Sequence, residues 1–368
     1  MKEILFLTNY PSPYRVRFFD ELGRHVHLTV LFADRPEEKT HRSADWYVEG
    51  RGNFRAVPLT KRVAKFGTNS LCVDVLPWLN RDYDAIVVGG YSNPTVILSM
   101  LYLRLRRIPF YMEVDGGLIR QEKKLTYLVK KALVSLPTAW LSTGNTVTDF
   151  LVHYGARREK VAIYPFSSIS QGELLPEVPS KEEKQALRRE LGVKEELVIL
   201  TIGQFIHRKG FDLLLQAAAK AGTRAGIYIV GGEPTEEYIR MRREFDLPNV
   251  HFVGFQKKQT LDSYYRAADL FVLPTREDIW GLVIGEAMAN GLPVITTDRC
   301  VAGVELVEEN VSGHILPAGD VSALAAALTR AEGEDLMAMG RAALEKIRPY
   351  TIENMAKVHL DIFDTDIP

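Results

Sequence analysis

The chain has 368 residues, with 46 Lys and Arg against 47 Asp and Glu and a net charge of -1. That balance argues against general nucleic-acid binding, and the length exceeds what one hydrophobic core usually serves, so two domains of roughly 170 residues each are expected. The two cysteines, Cys72 and Cys300, lie far apart and carry no partner pattern, which points to neither a disulfide framework nor a zinc site and fits a reducing cytoplasm.

The N-terminal run MKEILFLTNYPSPYR leads directly into a strand, with too short an apolar stretch and no small-residue cleavage site for a signal peptide. Strands are expected at Glu3 to Thr8, His27 to Phe32, Ala85 to Val88, Pro109 to Val114, Ala139 to Ser142 and Val161 to Tyr164. After the first strand, Pro11, Ser12, Pro13 and Tyr14 make a stiff turn that offers backbone and hydroxyl donors. Arg15 either meets an anionic acceptor or phosphate there or is simply solvated. The apolar stretch from Thr95 to Leu105 is interrupted by Arg104, Arg106 and Arg107, which leaves an amphipathic or buried helix instead of a membrane span. In MEVDGG, Glu113 stands at a strand's carboxyl end beside Gly116 and Gly117, placed to contact hydroxyls of a ligand, and Asp115 is available to cap the next segment. Arg104, Arg106, Arg107, Arg120, Lys123, Lys124, Lys130 and Lys131 lie among Leu, Ile and Tyr, either as a solvated surface or as a face for anionic lipid headgroups.

A polar segment containing Pro and Gly separates this series from a second one, and places a domain boundary near Gly172. The second series is Val198 to Ile202, Gly226 to Val230, Val250 to Val253, Leu270 to Leu273, Val294 to Thr296 and Gly313 to Leu316. Strands alternating with helices indicate α/β layers around parallel sheets, which bind ligands outside the carboxyl ends of their strands. The turns at Gly203, Gly254 and Asp278 all follow such ends. In TIGQFIHRKGFDLLLQAAAK, Arg208 and Lys209 end a turn before a helix, two cations suited to a diphosphate. In PTREDIWGLVIGEAMANGLPVITTD, Asp278 lies in a loop, Gly281 precedes a helix from Leu282 to Asn290, and Glu286 lies one turn in. The unpaired amides and dipole at Leu282 and Val283 favour a phosphate, and the carboxylates can accept hydrogen bonds from sugar hydroxyls.

This last segment resembles the E-x7-E signature of the family 4 retaining glycosyltransferases, usually close to E-G-F-G-L-V-x-x-E-A-M-A-x-G-x-P-V, over some twenty positions. The Arg208–Lys209 turn is similar to the family's second signature. The resemblance implies an α/β GT-B fold: two Rossmann-like domains facing across a cleft, with a C-terminal helix returning to the N-terminal domain. It implies residues 1–172 for the acceptor, 173–348 for the nucleotide sugar and 349–368 for the returning helix. Glu286 would bind the donor ribose and Asp278 the transferred sugar, while Arg208 and Lys209 stabilise the departing diphosphate. Gly203, Gln204, Gly254, Gly281, Leu282 and Val283 would complete the donor site, and Ser12, Tyr14, Arg15 and Glu113 the acceptor side. The chain departs from the family at several points. Asp278 replaces the first Glu, with Glu277 directly before it able to take the same role. Gln204 stands where most relatives carry Arg, the Gly-rich loop after the first strand is absent, and no His follows the fourth strand.

The implied activity is metal-independent transfer of a sugar, without a cofactor, from a UDP- or GDP-sugar to a glycan or lipid-linked acceptor in cell-surface polysaccharide biosynthesis. The chain would be cytoplasmic, with peripheral contact to the inner face of an anionic plasma membrane. Two alternatives share the donor site: a non-catalytic nucleotide-sugar-binding protein and a nucleotide-sugar epimerase. No DxD-type metal motif is evident at a cleft position, and the eight histidines show no ligand spacing beyond His25 and His27, so they read as structural.

Overall fold

The structure, a computed structural model, describes residues 1–34, 52–67 and 69–365. It divides into two compact units, Met1–Ser168 together with Tyr350–Pro368, and Ile169–Pro349. The first division thus falls between Ser168 and Ile169, inside the polar segment and a few residues before Gly172.

The first unit contains β1 (Glu3–Thr8), β2 (His27–Phe32), β3 (Arg55–Pro58), β4 (Arg62–Phe66), β5 (Asn69–Cys72), β6 (Ala85–Gly89), β7 (Tyr111–Val114), β8 (Ala139–Ser142) and β9 (Val161–Ile163). Seven of these form a parallel sheet in the order β3-β2-β1-β6-β7-β8-β9, and β4 and β5 form a separate antiparallel pair. Its helices are α1 (Pro13–Gly23), α2 (Leu76–Leu79), α3 (Pro94–Leu105), α4 (Lys124–Val134) and α5 (Asn145–His153). Strand β7 starts at Tyr111 and not at Pro109, because a proline has no N–H to give the ladder. Strands β3 to β5 were not expected from sequence: β3 is a sheet edge that tolerates Pro58, and β4 is exposed along most of its length, so neither shows a buried apolar run.

The second unit is a six-stranded parallel sheet in the order β12-β11-β10-β13-β14-β15. Its strands are β10 (Val198–Ile202), β11 (Gly226–Val230), β12 (Val250–Val253), β13 (Leu270–Leu273), β14 (Val294–Thr297) and β15 (Gly313–Leu316). The β-branched runs VILTI, GIYIV and LFVL are buried throughout, as a sheet covered on both faces requires. Helices α6 (Lys181–Leu191), α7 (Phe211–Ala221), α8 (Glu236–Glu244), α9 (Lys258–Ala267), α10 (Leu282–Ala289), α11 (Val301–Leu306), α12 (Val321–Ala331) and α13 (Leu336–Ile347) cover it. The core joins Ile199, Ile227, Ile229 and Val272 to Leu214 and Leu215 of α7 and Leu324 and Leu328 of α12. At the amino ends of the strands, Asp269 gathers Lys184 and Arg188 of α6 and the amide of Val198, so each buried charge has a partner.

The last helix, α14 (Ile352–Asp364), belongs to the first unit and packs on α1. There the His359 ring lies 4.8 Å from Phe18 and 4.6 Å from Tyr164, and Phe363 lies 6.3 Å from Phe6. Among the described residues no helix is long and apolar enough to cross a membrane.

Candidate functional site

In the second sheet the strand order reverses between β10 and β13, since the chain runs outward through β11 and β12 on one side and β14 and β15 on the other. Loops at the carboxyl ends of two such strands diverge and leave a crevice, the usual ligand position in this architecture. The two loops here carry Gly203 to Gly210 and Pro274 to Gly281, so topology brings together three of the four candidate catalytic residues. Lys209 Nζ lies 2.6 Å from Asp278 Oδ2, and Arg208 Nη1 lies 3.0 Å from Asp278 Oδ1. Arg208 also donates to the Glu277 carbonyl at 2.9 Å. Asp278 and Lys209 are largely enclosed, whereas the Arg208 side chain is 45% exposed and keeps further N–H donors for a ligand. Glu277 faces elsewhere, toward Arg299 at 3.4 Å. The geometry therefore separates the two adjacent acids that the sequence left open, with Asp278 on the basic pair.

The loops are held by contacts that sequence spacing did not disclose. Arg276 binds Asp212 of α7 through both oxygens and donates to the His207 carbonyl, while Thr275 Oγ1 donates to the Arg208 carbonyl at 2.8 Å. Gly210, at φ 71°, is required by this closeness: a Cβ there would stand 2.0 Å from the Pro274 carbonyl oxygen. On the far side, the Asp278 amide donates to the Arg299 carbonyl and the Val301 amide to the Asp278 carbonyl. Gly281, at φ 101°, lets the chain turn into α10 past the Cys300 sulfur, which would be 2.7 Å from a Cβ. Burial, and then the neighbouring Asp278 charge, push the Cys300 thiol up to about 12, so it is an inert packing group.

Helix α10 starts at Leu282 as expected and ends one residue early, with Asn290 as its cap. The amides of Leu282 and Val283 have no acceptor within the helix. Glu286 is half-buried, and its Oε2 accepts from the Tyr265 hydroxyl at 3.0 Å. Burial, and then Glu286, hold the Tyr265 phenol well above its ordinary value, so it remains a donor that orients the carboxylate. Gly203 and Gln204 follow β10, with Gln204 exposed, and Gly254 follows β12. Next to Gly254 the Phe255 ring is 81% exposed, a flat apolar surface at the same end of the sheet.

The candidate residues of the first unit are arranged differently. Arg15, in the first turn of α1, is buried, and its guanidinium binds both oxygens of Glu113 and lies 3.0 Å from Asp115 Oδ1. It also lies 5.9 Å from the Phe18 ring centroid and 5.8 Å from that of Phe19. Neither alternative read from sequence describes it, since Arg15 is neither solvated nor offered to an anion; it neutralises carboxylates inside the fold. Glu113 is likewise buried, with its oxygens taken by Arg15 and one of them 3.4 Å from His359 Nε2, which turns it inward from ligand hydroxyls. Burial alone would raise the Glu113 carboxyl, but Arg15 outweighs it and, with His359, holds it at about 2. Asp115 caps no helix: Tyr164 donates to its Oδ1 at 3.2 Å, and the side chain remains one-third exposed. Ser12 is buried and makes no side-chain cap to α1, and Tyr14 stacks edge-on against Phe166. His359 reaches this cluster from the far end of the chain, a contact without a local sequence signal.

Residues 196–332, all in the second unit, match the family described as Glycosyl transferases group 1. This stretch is a glycosyl transferases group 1 domain. The amylovoran biosynthesis glycosyltransferase AmsK of Erwinia amylovora is 32% identical over 47% of this chain and 46% of its own length. The lipopolysaccharide glucosyltransferase WaaG of Escherichia coli is 27% identical over 43% of each chain. The chain thus spans about half the length of the curated relatives it matches. Among solved structures, Anabaena HepE in complex with UDP superposes with a TM-score of 0.78 at 18% identity, covering 98% of this chain and 99% of that one. The fold is GT-B, built from two Rossmann-like units and a C-terminal helix.

Proposed function

We propose that the protein is a retaining, metal-independent glycosyltransferase that moves a sugar from a nucleoside-diphosphate sugar to a hydroxyl of a glycan or lipid-linked acceptor. The observation that carries this is the convergence of Arg208, Lys209 and Asp278 at the switch point of a group 1 domain, beside the amino end of α10. Two cations and one carboxylate leave a net positive charge, to which the α10 amides add, so the arrangement favours the diphosphate more as it departs than while it is still bonded to the sugar. That is charge stabilisation of the kind a divalent cation would otherwise supply. Glu286, oriented by Tyr265, is the proposed ribose ligand, Asp278 the proposed contact of the transferred sugar, and Phe255 a surface for the base. In the proposed step the anomeric carbon–phosphate oxygen bond breaks and the acceptor oxygen bonds to the same face of that carbon. The acceptor proton goes to the leaving phosphate, so no enzyme nucleophile is needed.

The names of AmsK and WaaG support a role in polysaccharide or lipopolysaccharide assembly. A place on the cytoplasmic side, in peripheral contact with an anionic membrane, is part of the same proposal and rests on the basic residues around α3 and α4. On the acceptor side, Asp115, one-third exposed at the carboxyl end of β7, replaces the buried Glu113 as the proposed hydroxyl contact. The test is release of nucleoside diphosphate from a panel of UDP- and GDP-sugars, with and without lipid and glycan acceptors, followed by the anomeric configuration of the product. Acceptor-dependent release with retention supports the proposal. Conversion of the donor without acceptor would make the protein an epimerase, and binding without any turnover would make it a sugar-nucleotide-binding protein.

A further inference from the structure

Helix α6 buries charge where a surface helix normally buries apolar side chains. Its buried residues are Lys184 and Arg188, one turn apart on the same face. Lys184 Nζ donates to the Ala268 carbonyl at 2.8 Å and lies 3.2 Å from Asp269 Oδ1. Arg188 donates to the carbonyls of Ala267 and Glu196 and to Asp269 Oδ2. Two cations thus share one carboxylate, which leaves the cluster with positive charge in excess. An ammonium has three N–H donors and a guanidinium five, so both side chains keep donors with no acceptor among the described residues. Burial pushes the Lys184 ammonium below its ordinary value and Asp269 offsets only part of this, as expected of a cation short of negative charge. Tying α6 to Asp269 would need one cation, not two.

Both cations line a cavity of about 650 Å³. It lies at the amino ends of β10 and β13, where Asp269 accepts from the Val198 amide, and so at the opposite end of the sheet from the Arg208–Lys209 crevice. Lys181, Arg189 and Lys194 also line it, are exposed, and have no side-chain partner among the described residues. Most acids of the lining are engaged elsewhere. Glu195 accepts from Tyr228 and faces His251, Glu332 accepts from Thr223, and Glu334 lies against His314 and Arg330. Asp335 caps the Ala338 amide. Glu196 is exposed and is the one lining carboxylate without a side-chain partner among the described residues. The uncommitted charge of the cavity is therefore cationic, and an anion would satisfy both the excess charge and the spare donors of Lys184 and Arg188. The volume is that of a small-molecule site and far exceeds what an inorganic anion needs. Across from α6, Leu336 and Met337 are half-buried, and Glu332 and Glu334 keep oxygen lone pairs that can accept from hydroxyls.

We propose that this cavity is a second ligand site, taking a phosphate ester of a polyhydroxyl compound with its phosphate on Lys184, Arg188 and Arg189 and its hydroxyls toward Glu332 and Glu334. A free sugar phosphate and the ribose phosphate of a nucleotide share that chemistry. The site goes beyond the transferase reading and does not depend on it. The test is calorimetric titration of glucose 6-phosphate, AMP, glucose and inorganic phosphate into the full chain carrying Arg208→Ala/Lys209→Ala, which removes the cations of the crevice. Two further variants are made on that background: Lys181→Glu/Arg189→Glu at the rim, and Lys184→Gln in the floor, which keeps a donor for the Ala268 carbonyl. The proposal expects saturable binding of at least one ester, about tenfold or more tighter than glucose or inorganic phosphate. It expects the rim variant to weaken that binding about tenfold or more at an unchanged unfolding midpoint, and the floor variant to weaken it likewise. Preference for glucose 6-phosphate would name a sugar phosphate as the ligand, and preference for AMP a nucleotide. Failure of both esters to bind, binding that the rim variant retains in full, or inorganic phosphate bound as tightly as the esters would overturn it. Nucleotide-sugar turnover plays no part in the readout, so failure of the transferase reading and failure of this site are separable.

Discussion

Lys209 and Arg208 are not equivalent on Asp278. Lys209 is enclosed and makes the shorter contact, whereas Arg208 reaches into solvent and holds the Glu277 carbonyl as well. Replacing Lys209 by Ala should therefore cost transfer about a hundredfold or more in kcat with a smaller change in KM, because the lost charge acts on the departing phosphate. Steady-state kinetics check this, and an effect confined to KM would assign Lys209 to donor binding alone. Glu113 has a different kind of consequence. Its folded value, about 2, lies below the ordinary carboxylate value near roughly 4.3, so the stability it contributes is complete above that value and is lost as pH falls through about 2. Glu113→Gln should cost about 3–5 kcal/mol at neutral pH, since the variant leaves Arg15 underpaired, and should flatten the acid limb of the stability profile. Denaturant unfolding of both proteins across that range checks it; equal slopes would contradict it. The roles of Arg15 and Glu113 were not legible in the sequence because what defines them is a contact across 98 residues and a third partner, His359, on the last helix.

At the scale of elements, the two glycines that shape the second site follow from close approaches. Gly210→Ala would drive a methyl group into the Pro274 carbonyl and strain a left-handed residue, and should cost about 2–4 kcal/mol, displacing the turn of Arg208 and Lys209 from Asp278. Loss of nucleotide affinity beyond what the loss of stability explains would identify that displacement, and full retention of both would contradict it. Strand positions were largely readable, because β10, β11 and β13 are buried runs of β-branched and aromatic residues whose limits coincide with the sequence pattern. Strands β3 and β4 were not, since edge position and exposure remove the apolar alternation that marks a strand, and β5 was not because its buried positions include the polar Ser70. Helix α4 shows the same difficulty in reverse: helical periodicity gives an apolar face, at Leu125, Leu128 and Val129, but not the side on which it lies, and the Lys130–Glu122 pair and the packing of Tyr127 on His153 and Tyr154 turn that face outward.

The whole molecule is two parallel α/β units, the second with its candidate chemistry at the crevice predicted by strand order. Much of the second unit was legible because the motif residues stand at the carboxyl ends of successive parallel strands, where topology must bring them together. The first unit was less so, since its candidate residues Arg15 and Glu113 pair with each other and with Asp115 inside the fold. The account depends centrally on Arg208 and Lys209 being a diphosphate site, so the most direct measurement is calorimetric titration of UDP, the nucleotide present in the HepE structure, and of GDP into the wild-type protein and the Arg208→Ala/Lys209→Ala variant. The account predicts saturable binding of one of the two by the wild-type protein and loss of at least about tenfold in affinity in a variant that unfolds at a similar temperature. Equal affinity in both proteins, or no binding to either, would contradict it.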